Sequence, residues 1–398
     1  MIYVGIDWAR KHHHVVVLDE SGSRLHQQSV AHSAEALDAL ADTLAELEPD
    51  PAAVHVTIEL HDGSLLVWLL SQGYSVFPLN PKSADRARDR YSASGAKSDK
   101  GDAFVLADTL RTDGGTMRQF SPPSPLAQQL LEWLRIRDRV VRERTAAMQQ
   151  LRAILDEWSP ELSALCPDLH RRWACRLLAA FPLQQDLAGL DLAQVQDACG
   201  RKLSAIARKR LQAALAADCL PVPAGRDEAL RWQVRHLVER IERLSEQITE
   251  IESRLHALVA AHPRKRLVWS LPIRGIVTQA TLLAIMEMAD HATWRELAAC
   301  WGVAPVTKQS GKKKSVRRRR GCDHFICQVL IQFAHCTAQI HDSWARQFYR
   351  GKRDAGTEHF TALRGLAHHW VKVLCAMWRD DTTYDEQLHQ NNRLTKAA

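Results

Sequence analysis

The sequence predicts an α/β domain followed by a long all-α region, and three observations carry that reading. Runs rich in β-branched residues, Ile2 to Asp7, His13 to Asp19 and Val54 to Glu59, have the composition of strands that bury at least one face. The segment Ser121 to Pro125, SPPSP, cannot continue a helix and marks a boundary. Beyond it Val234, Leu237, Ile241, Leu244, Ile248, Ile251, Leu255 and Leu258 recur in steps of three and four, a heptad pattern more than three repeats long.

The elements follow in order. The first two runs and a third, Arg24 to Ser29, are joined by short polar turns, which predicts an antiparallel meander. An Ala/Leu-rich helix from Ser33 to Leu47, with Ser33 as its N-cap, leads to the strand Val54 to Glu59. A helix near Leu65 to Ser71 and a short strand, Tyr74 to Pro78, come next. Ala103, Leu106, Ala107 and Leu110 form a helical stripe that starts near Asp99 and stops near Gly114 and Gly115, completing the order βββαβαβα.

After the prolines, Leu126, Leu130, Leu134, Val141, Met148, Leu151 and Leu155 define one face of a long helix. This helix and the heptad helix flank a helical insert at about 159–226. They fit an antiparallel hairpin or a dimer-forming coiled coil, and a plain intramolecular bundle equally well. The last third, after His262-Pro263, is helical and basic, with a polar loop from Lys308 to Phe325 and a final amphipathic helix from about His359 to Trp378. The expected domains are 1–120, 121–262 and 263–385, with a polar tail at 386–398.

Composition narrows the function classes. With 398 residues and 46% hydrophobic content, the chain can bury several cores. No segment reaches the roughly 18 uninterrupted apolar residues of a membrane span, and the first strand begins without a leader-like stretch, so the cytoplasm is expected. The nine cysteines form no CxxC pair and no dense framework, which argues against a zinc ribbon or a disulfide scaffold. A net charge of +7 suits a polyanionic partner.

Carboxylates are the most informative side chains. Strand alternation places Tyr3, Gly5 and Asp7 opposite Ile2, Val4 and Ile6, and places Thr57 and Glu59 opposite Val54, Val56 and Ile58. Asp99 and Asp102, one helical turn apart, share a side of their helix. Singly, each reads as a turn residue or as an acid favouring a helix dipole. Together, four oxygen ligands converging on one point would need divalent cations, Mg²⁺ or Mn²⁺, and two such ions can clamp a phosphoryl transfer.

The blocks V-G-I-D at the first strand, I-E at the fourth and K-S-D-K-G-D-A opening a helix resemble the Asp-Glu-Asp-Asp signature of one family of insertion-sequence transposases. These are the DEDD, Piv/MooV-like recombinases of the IS-one-ten family. A second resemblance covers Leu267 to Asp385. There Pro272 and Gly275, then Leu297, Ala298, Gly302, Pro305, Ser310 and Gly311, follow the family's C-terminal pattern. The resemblance implies an RNase H-like (RuvC-like) mixed-sheet domain holding two Mg²⁺ ions on Asp7, Glu59, Asp99 and Asp102. It also implies a helical C-terminal domain supplying Ser310 as a nucleophile that links covalently to DNA. Donor and target DNA, a structured noncoding guide RNA and further copies of the chain are the implied partners.

The run Lys312, Lys313, Lys314, Arg317, Arg318, Arg319 and Arg320, with Lys97 and Lys100 beside the aspartates, is expected to hold nucleic-acid phosphates. Weaker candidates are set aside. His12, His13 and His14 alternate in a strand, which favours a surface strand over a metal site, and Cys322, His324 and Cys327 lack a fourth ligand at finger spacing. Two other functions fit the same residues: a hydrolytic nuclease or junction resolvase in which Ser310 is incidental, and a catalytically inactive nucleic-acid-binding relative.

Overall fold

In the computed structural model, which describes residues 1–59, 63–91, 99–200, 202–310 and 313–387, two compact units divide the chain at Pro122/Pro123. In the first unit, β1 (Ile2–Asp7), β2 (His12–Leu18), β3 (Arg24–Ala31), β4 (Val54–Ile58) and β5 (Ser75–Pro78) form one sheet in the order β3-β2-β1-β4-β5. β1, β2 and β3 pair antiparallel, whereas β1, β4 and β5 pair parallel. This mixed order is the RNase H-like topology that the sequence resemblance implied.

Helices cover both faces. Ile2, Val4 and Ile6 of β1, with Val15 and Val17 of β2, pack against α1 (Ala34–Leu47) and α2 (Ser64–Ser71). Ser33 caps α1 as expected, its side chain accepting from the Ala36 N–H. The opposite face takes α4 (Asp99–Asp113), whose Ala103 and Ala107 pack on Val16 and Leu18. Helix α3 (Pro81–Arg88) packs on α4 and was not foreseen. Its sequence, PKSADRAR, has no apolar stripe, and among its described side chains Ala84 and Ala87 are the buried ones.

The second unit is helical apart from one β-ribbon. Its helices are α5 (Pro125–Trp158), α6 (Pro160–Leu165), α7 (Arg172–Ala180), α8 (Leu192–Ala198), α9 (Ala205–Ala216), α10 (Asp227–Ala261) and α11 (Lys265–Trp269). They continue with α12 (Ile276–Met286), α13 (Trp294–Cys300), α14 (His324–Ala338), α15 (Trp344–Asp354) and α16 (His359–Arg379). The heptad seam of α10 is filled by this chain's own α5, running antiparallel. Leu130 and Leu134 share one core with Leu255 and Val259, while Leu151 and Leu155 share a second with Val234 and Val238. Arg137 donates to Glu252 at 2.6 and 2.8 Å along the same seam. Of the face expected on α5, Leu126, Val141 and Met148 are only partly buried, and Ala127 and Ala147 are buried instead.

Glu287 clasps the base of this helical pair. Its carboxylate accepts from the backbone N–H and the hydroxyl of Ser124, the N-cap of α5, at 2.9 and 2.7 Å. It also lies 3.5 Å from His262, the C-cap of α10. Where a polar loop was expected, β6 (Val306–Ser310) and β7 (Lys313–Arg317) form an antiparallel ribbon with Ser310 opposite Lys313. The ribbon lacks the apolar/polar alternation that marks a half-buried strand, so only backbone pairing reveals it. Among the described residues no helix is long and apolar enough to cross a membrane.

Candidate active site

The site begins with the parallel pairing of β1 and β4. Ile6 pairs with Ile58, so Asp7 and Glu59 follow at the carboxyl ends of neighbouring parallel strands, the end of an open sheet where such proteins place their ligands. Alternation turns both toward the face covered by α4, the face shared with Gly5 and the buried Thr57.

Helix α4 can reach that face because residue 5 has no side chain. A methyl group on Gly5 would lie 2.0 Å from the Ala103 carbonyl oxygen and 2.5 Å from the Ala107 nitrogen. The backbones therefore touch, and the first turn of α4, with Asp99 and Asp102, is carried over the strand end. Asp102 is buried; Asp99 is exposed.

The carboxylates feel one another. Burial pushes the Glu59 carboxyl above its ordinary range, Arg88 opposes this, and the negative charges of Asp7, Asp102 and Asp85 add to the rise. Arg88, at the end of α3, donates through Nε to Asp102 Oδ1 at 2.6 Å and through Nη1 to Asp85 Oδ1 at 2.6 Å. Burial lowers the Arg88 pKa, but the bonds to Asp102 and Asp85 outweigh that and hold it above its usual value. Asp99 stands at the rim, 3.6 Å from Nε2 of His14, the β2 residue paired with Asp7.

The chemistry of the donor set fits a hard divalent cation, because Asp7 and Asp102 are carboxylates close enough to act on the charge of a third, Glu59. In the arrangement seen, no group of three or more Asp, Glu, His or Cys side chains among the described residues is spaced to hold a metal ion. A guanidinium takes the oxygen of Asp102 instead. Arg88 and Asp85 thus join the candidate site without having been singled out in the sequence, and His14, set aside there with its histidine run, lies at its rim. The histidine run is corrected too: His13 is buried, with Nε2 2.9 Å from His32 Nδ1, and does not lie on a surface strand.

The remaining expected residues fall elsewhere. Lys100 is exposed on the first turn of α4. Lys97 and Lys312 lie outside the described residues. Ser310, Lys313 and Lys314 are described by their backbone, within the ribbon of the second unit. Arg317, Arg318 and Arg320 are exposed, and Arg319 is half-buried.

Comparison with known proteins accounts for both units. The family model for the DEDD transposase of IS110 matches residues 4–160, and that of the "Transposase IS116/IS110/IS902 family" matches residues 265–350. A Streptomyces coelicolor protein carrying a transposase name, for the IS117 mini-circle, is 28% identical over 401 residues, covering 97% of this chain and 96% of that protein. The 43.6 kDa protein of insertion element IS110, also from Streptomyces coelicolor, is 26% identical over 401 residues and covers 97% of this chain and 96% of that protein. Among solved structures, T. thermophilus RuvC in complex with Holliday junction substrate is 18% identical and covers 30% of this chain and 99% of that one. Its TM-score is 0.23, a likeness too slight to carry an argument. With one family model over the carboxylate-bearing sheet, a second over the serine-bearing ribbon, and relatives that align along nearly the whole length, the chain belongs to the IS110 family of transposases, enzymes of DNA recombination.

Proposed function

We propose that the chain is a site-specific DNA recombinase that cuts and rejoins phosphodiesters through a covalent link to Ser310. A structured noncoding RNA supplies the target choice, and further copies of the chain complete the assembly. The observation that supports this most is the seating of α4 on Gly5, which brings Asp102 into the field of Asp7 and Glu59. Asp7, Glu59, Asp99 and Asp102 would hold Mg²⁺, or Mn²⁺ in its place. Bound there, the ions would lower the pKa of an attacking hydroxyl and neutralise charge building on the phosphate.

In this reading the Ser310 oxygen forms the new bond to phosphorus as the bond to the 3′ oxygen breaks. The serine gives up its proton and the departing 3′ oxygen takes one, leaving a phosphoserine and a 3′-hydroxyl. Bond energy is conserved, so the hydroxyl can attack a second phosphoserine link without ATP. Lys312, Lys313, Lys314 and Arg317 to Arg320 would hold backbone phosphates around the serine, and Lys97 and Lys100 those near the carboxylates. A serine at the tip of a β-ribbon can be carried to a phosphate in a groove, since a two-stranded ribbon fits the DNA major groove.

The test is a supercoiled donor and target pair with the guide RNA and Mg²⁺, resolved on denaturing gels. The unaltered chain should give a protein–DNA adduct and joined product, and Ser310→Ala should give neither. If Ser310→Ala still cuts, the enzyme is a hydrolytic nuclease. If normal binding is accompanied by no Mg²⁺-dependent cleavage, this copy is a binding protein only.

A further inference from the structure

The structure points to a role for Arg88 that neither the fold nor the family assignment supplies. Its side chain is 20% exposed, and the guanidinium forms one bond inward, to the 5%-exposed Asp102 side chain at 2.6 Å, and one outward, to the 68%-exposed Asp85 side chain at 2.6 Å. A buried carboxylate needs a partner, and removing one from such a pair leaves an uncompensated charge. Arg88 is that partner here, at the position where the four-carboxylate reading places a divalent ion.

We propose that Arg88 is an exchangeable counter-cation: it neutralises Asp102 while the site holds no divalent ion, and gives way to the ion when one binds. This rests on the metal reading above. The geometry favours exchange over a permanent pair in three respects. The contact to Asp102 is a single Nε bond rather than the bidentate fork that holds arginine most firmly. Asp85 already holds the other end of the guanidinium near solvent, so the side chain can rotate outward without losing every partner. Among the described side chains of the short helix that carries it, Ala84 and Ala87 are the buried ones, so its hold on the rest of the unit involves small residues. The charge of Arg88 also acts on Glu59, so its departure would leave both carboxylates more strongly attracting to a divalent cation.

Binding of the ion and docking of Arg88 are then coupled, and coupling free energies are reciprocal. Removing the arginine should raise the affinity for the ion, even though it removes a bond from the folded chain. The experiment uses the full-length protein and Mn²⁺ alone, without DNA. Binding is read by the loss of the free Mn²⁺ electron paramagnetic resonance signal, and the melting temperature is measured in chelator and in Mn²⁺. Arg88→Ala is expected to melt lower than the unaltered chain in chelator, to bind Mn²⁺ roughly fivefold or more tightly, and to gain more from Mn²⁺ in melting temperature. Arg88→Lys, which keeps the charge and folds more safely, should fall between the two.

Equal or weaker Mn²⁺ binding by Arg88→Ala and Arg88→Lys, with the unaltered chain binding through Asp7 and Glu59, overturns the exchange and leaves the metal site standing. Absence of binding in all three, with Asp7→Asn making no difference, overturns both readings.

Discussion

Gly5 of β1 and Ala103 of α4 approach so closely that a single methyl group on Gly5 would stand 2.0 Å from the Ala103 carbonyl oxygen. The obstacle is backbone rather than a movable side chain. Gly5→Ala must therefore push α4 away from the sheet, and Asp102 moves with it. Overpacking of this kind costs about 1–3 kcal/mol, occasionally more. The unfolding free energy of Gly5→Ala from a urea titration should fall by that amount, moving the midpoint down, and DNA joining should drop to background. A variant that kept both would show that α4 does not need this seat.

The two ends of the carboxylate group should separate by stability. Asp102→Asn takes from Arg88 its buried partner while Asp85 remains, so the cost should fall below the roughly 3–5 kcal/mol of a fully buried broken pair but above about 1 kcal/mol. Asp99 is 65% exposed and lies 3.6 Å from His14 Nε2, so Asp99→Asn should stay within about 0.5 kcal/mol. Joining should be lost in both. Denaturant titrations of the two variants side by side check the contrast, which equal midpoints would contradict.

Glu59→Gln should make the protein more stable and less active. The raised pKa of Glu59 means that the folded state disfavours its charge, by burial first and then by Asp7, Asp102 and Asp85 against the pull of Arg88. An amide of the same shape removes that disfavoured charge. Function retained at the expense of stability is common at active sites. A higher melting temperature together with lost joining is the expected pair of results.

His13 sets an acid limit on the first unit. Its pKa is pushed down to about 4, by burial first and then by His32 and His12, whereas the unfolded chain titrates near ~6.5. Between those values the unfolded chain binds a proton that the folded one refuses. Stability is therefore full above about pH 6.5 and is lost as pH falls toward 4, by on the order of 2 kcal/mol at pH 5. His13→Phe should show a smaller fall in urea midpoint between pH 7.5 and 5 than the unaltered chain; equal falls would count against this assignment.

Glu287 should matter well beyond its own helix turn. Hydrogen bonds to a charged group contribute about 1.5–3 kcal/mol, and Glu287 accepts two from Ser124. Glu287→Ala should lower the melting temperature and increase hydrogen exchange in the first turn of α5. Unchanged exchange at residues 126–128 would argue that the prolines alone fix that turn.

Much of this was legible in the sequence because period-2 and period-3.6 patterns survive wherever large apolar residues do the packing. Asp7 and Glu59 could be assigned a face from Ile2, Val4 and Ile6 and from Val54, Val56 and Ile58. Helix α4 announced itself by Ala103, Leu106, Ala107 and Leu110. Patterns failed where alanine or backbone makes the contact. Helix α3 buries Ala84 and Ala87 among charges, so Arg88 and Asp85 looked like solvated residues. The ribbon of Ser310 has no alternation of apolar and polar residues in its sequence to mark it. On α5, Ala127 and Ala147 sit where leucine or methionine was expected, since close-packed helices leave room for little else. The order βββαβαβα was readable except for α3, but strand order and the choice between intramolecular and intermolecular pairing of the heptad seam required the fold.

The clasp at Glu287 has a consequence for how such a chain can change over generations. Polypeptide departs at Ser124 and comes back at His262, so the intervening segment is a detour that starts and finishes at one doorway. Shortening both limbs by the same number of turns, or swapping the far lobe outright, would leave the doorway undisturbed. The stretch between the two matched family models, 161–264, lies almost wholly beyond that doorway, so a change of length there need not disturb it.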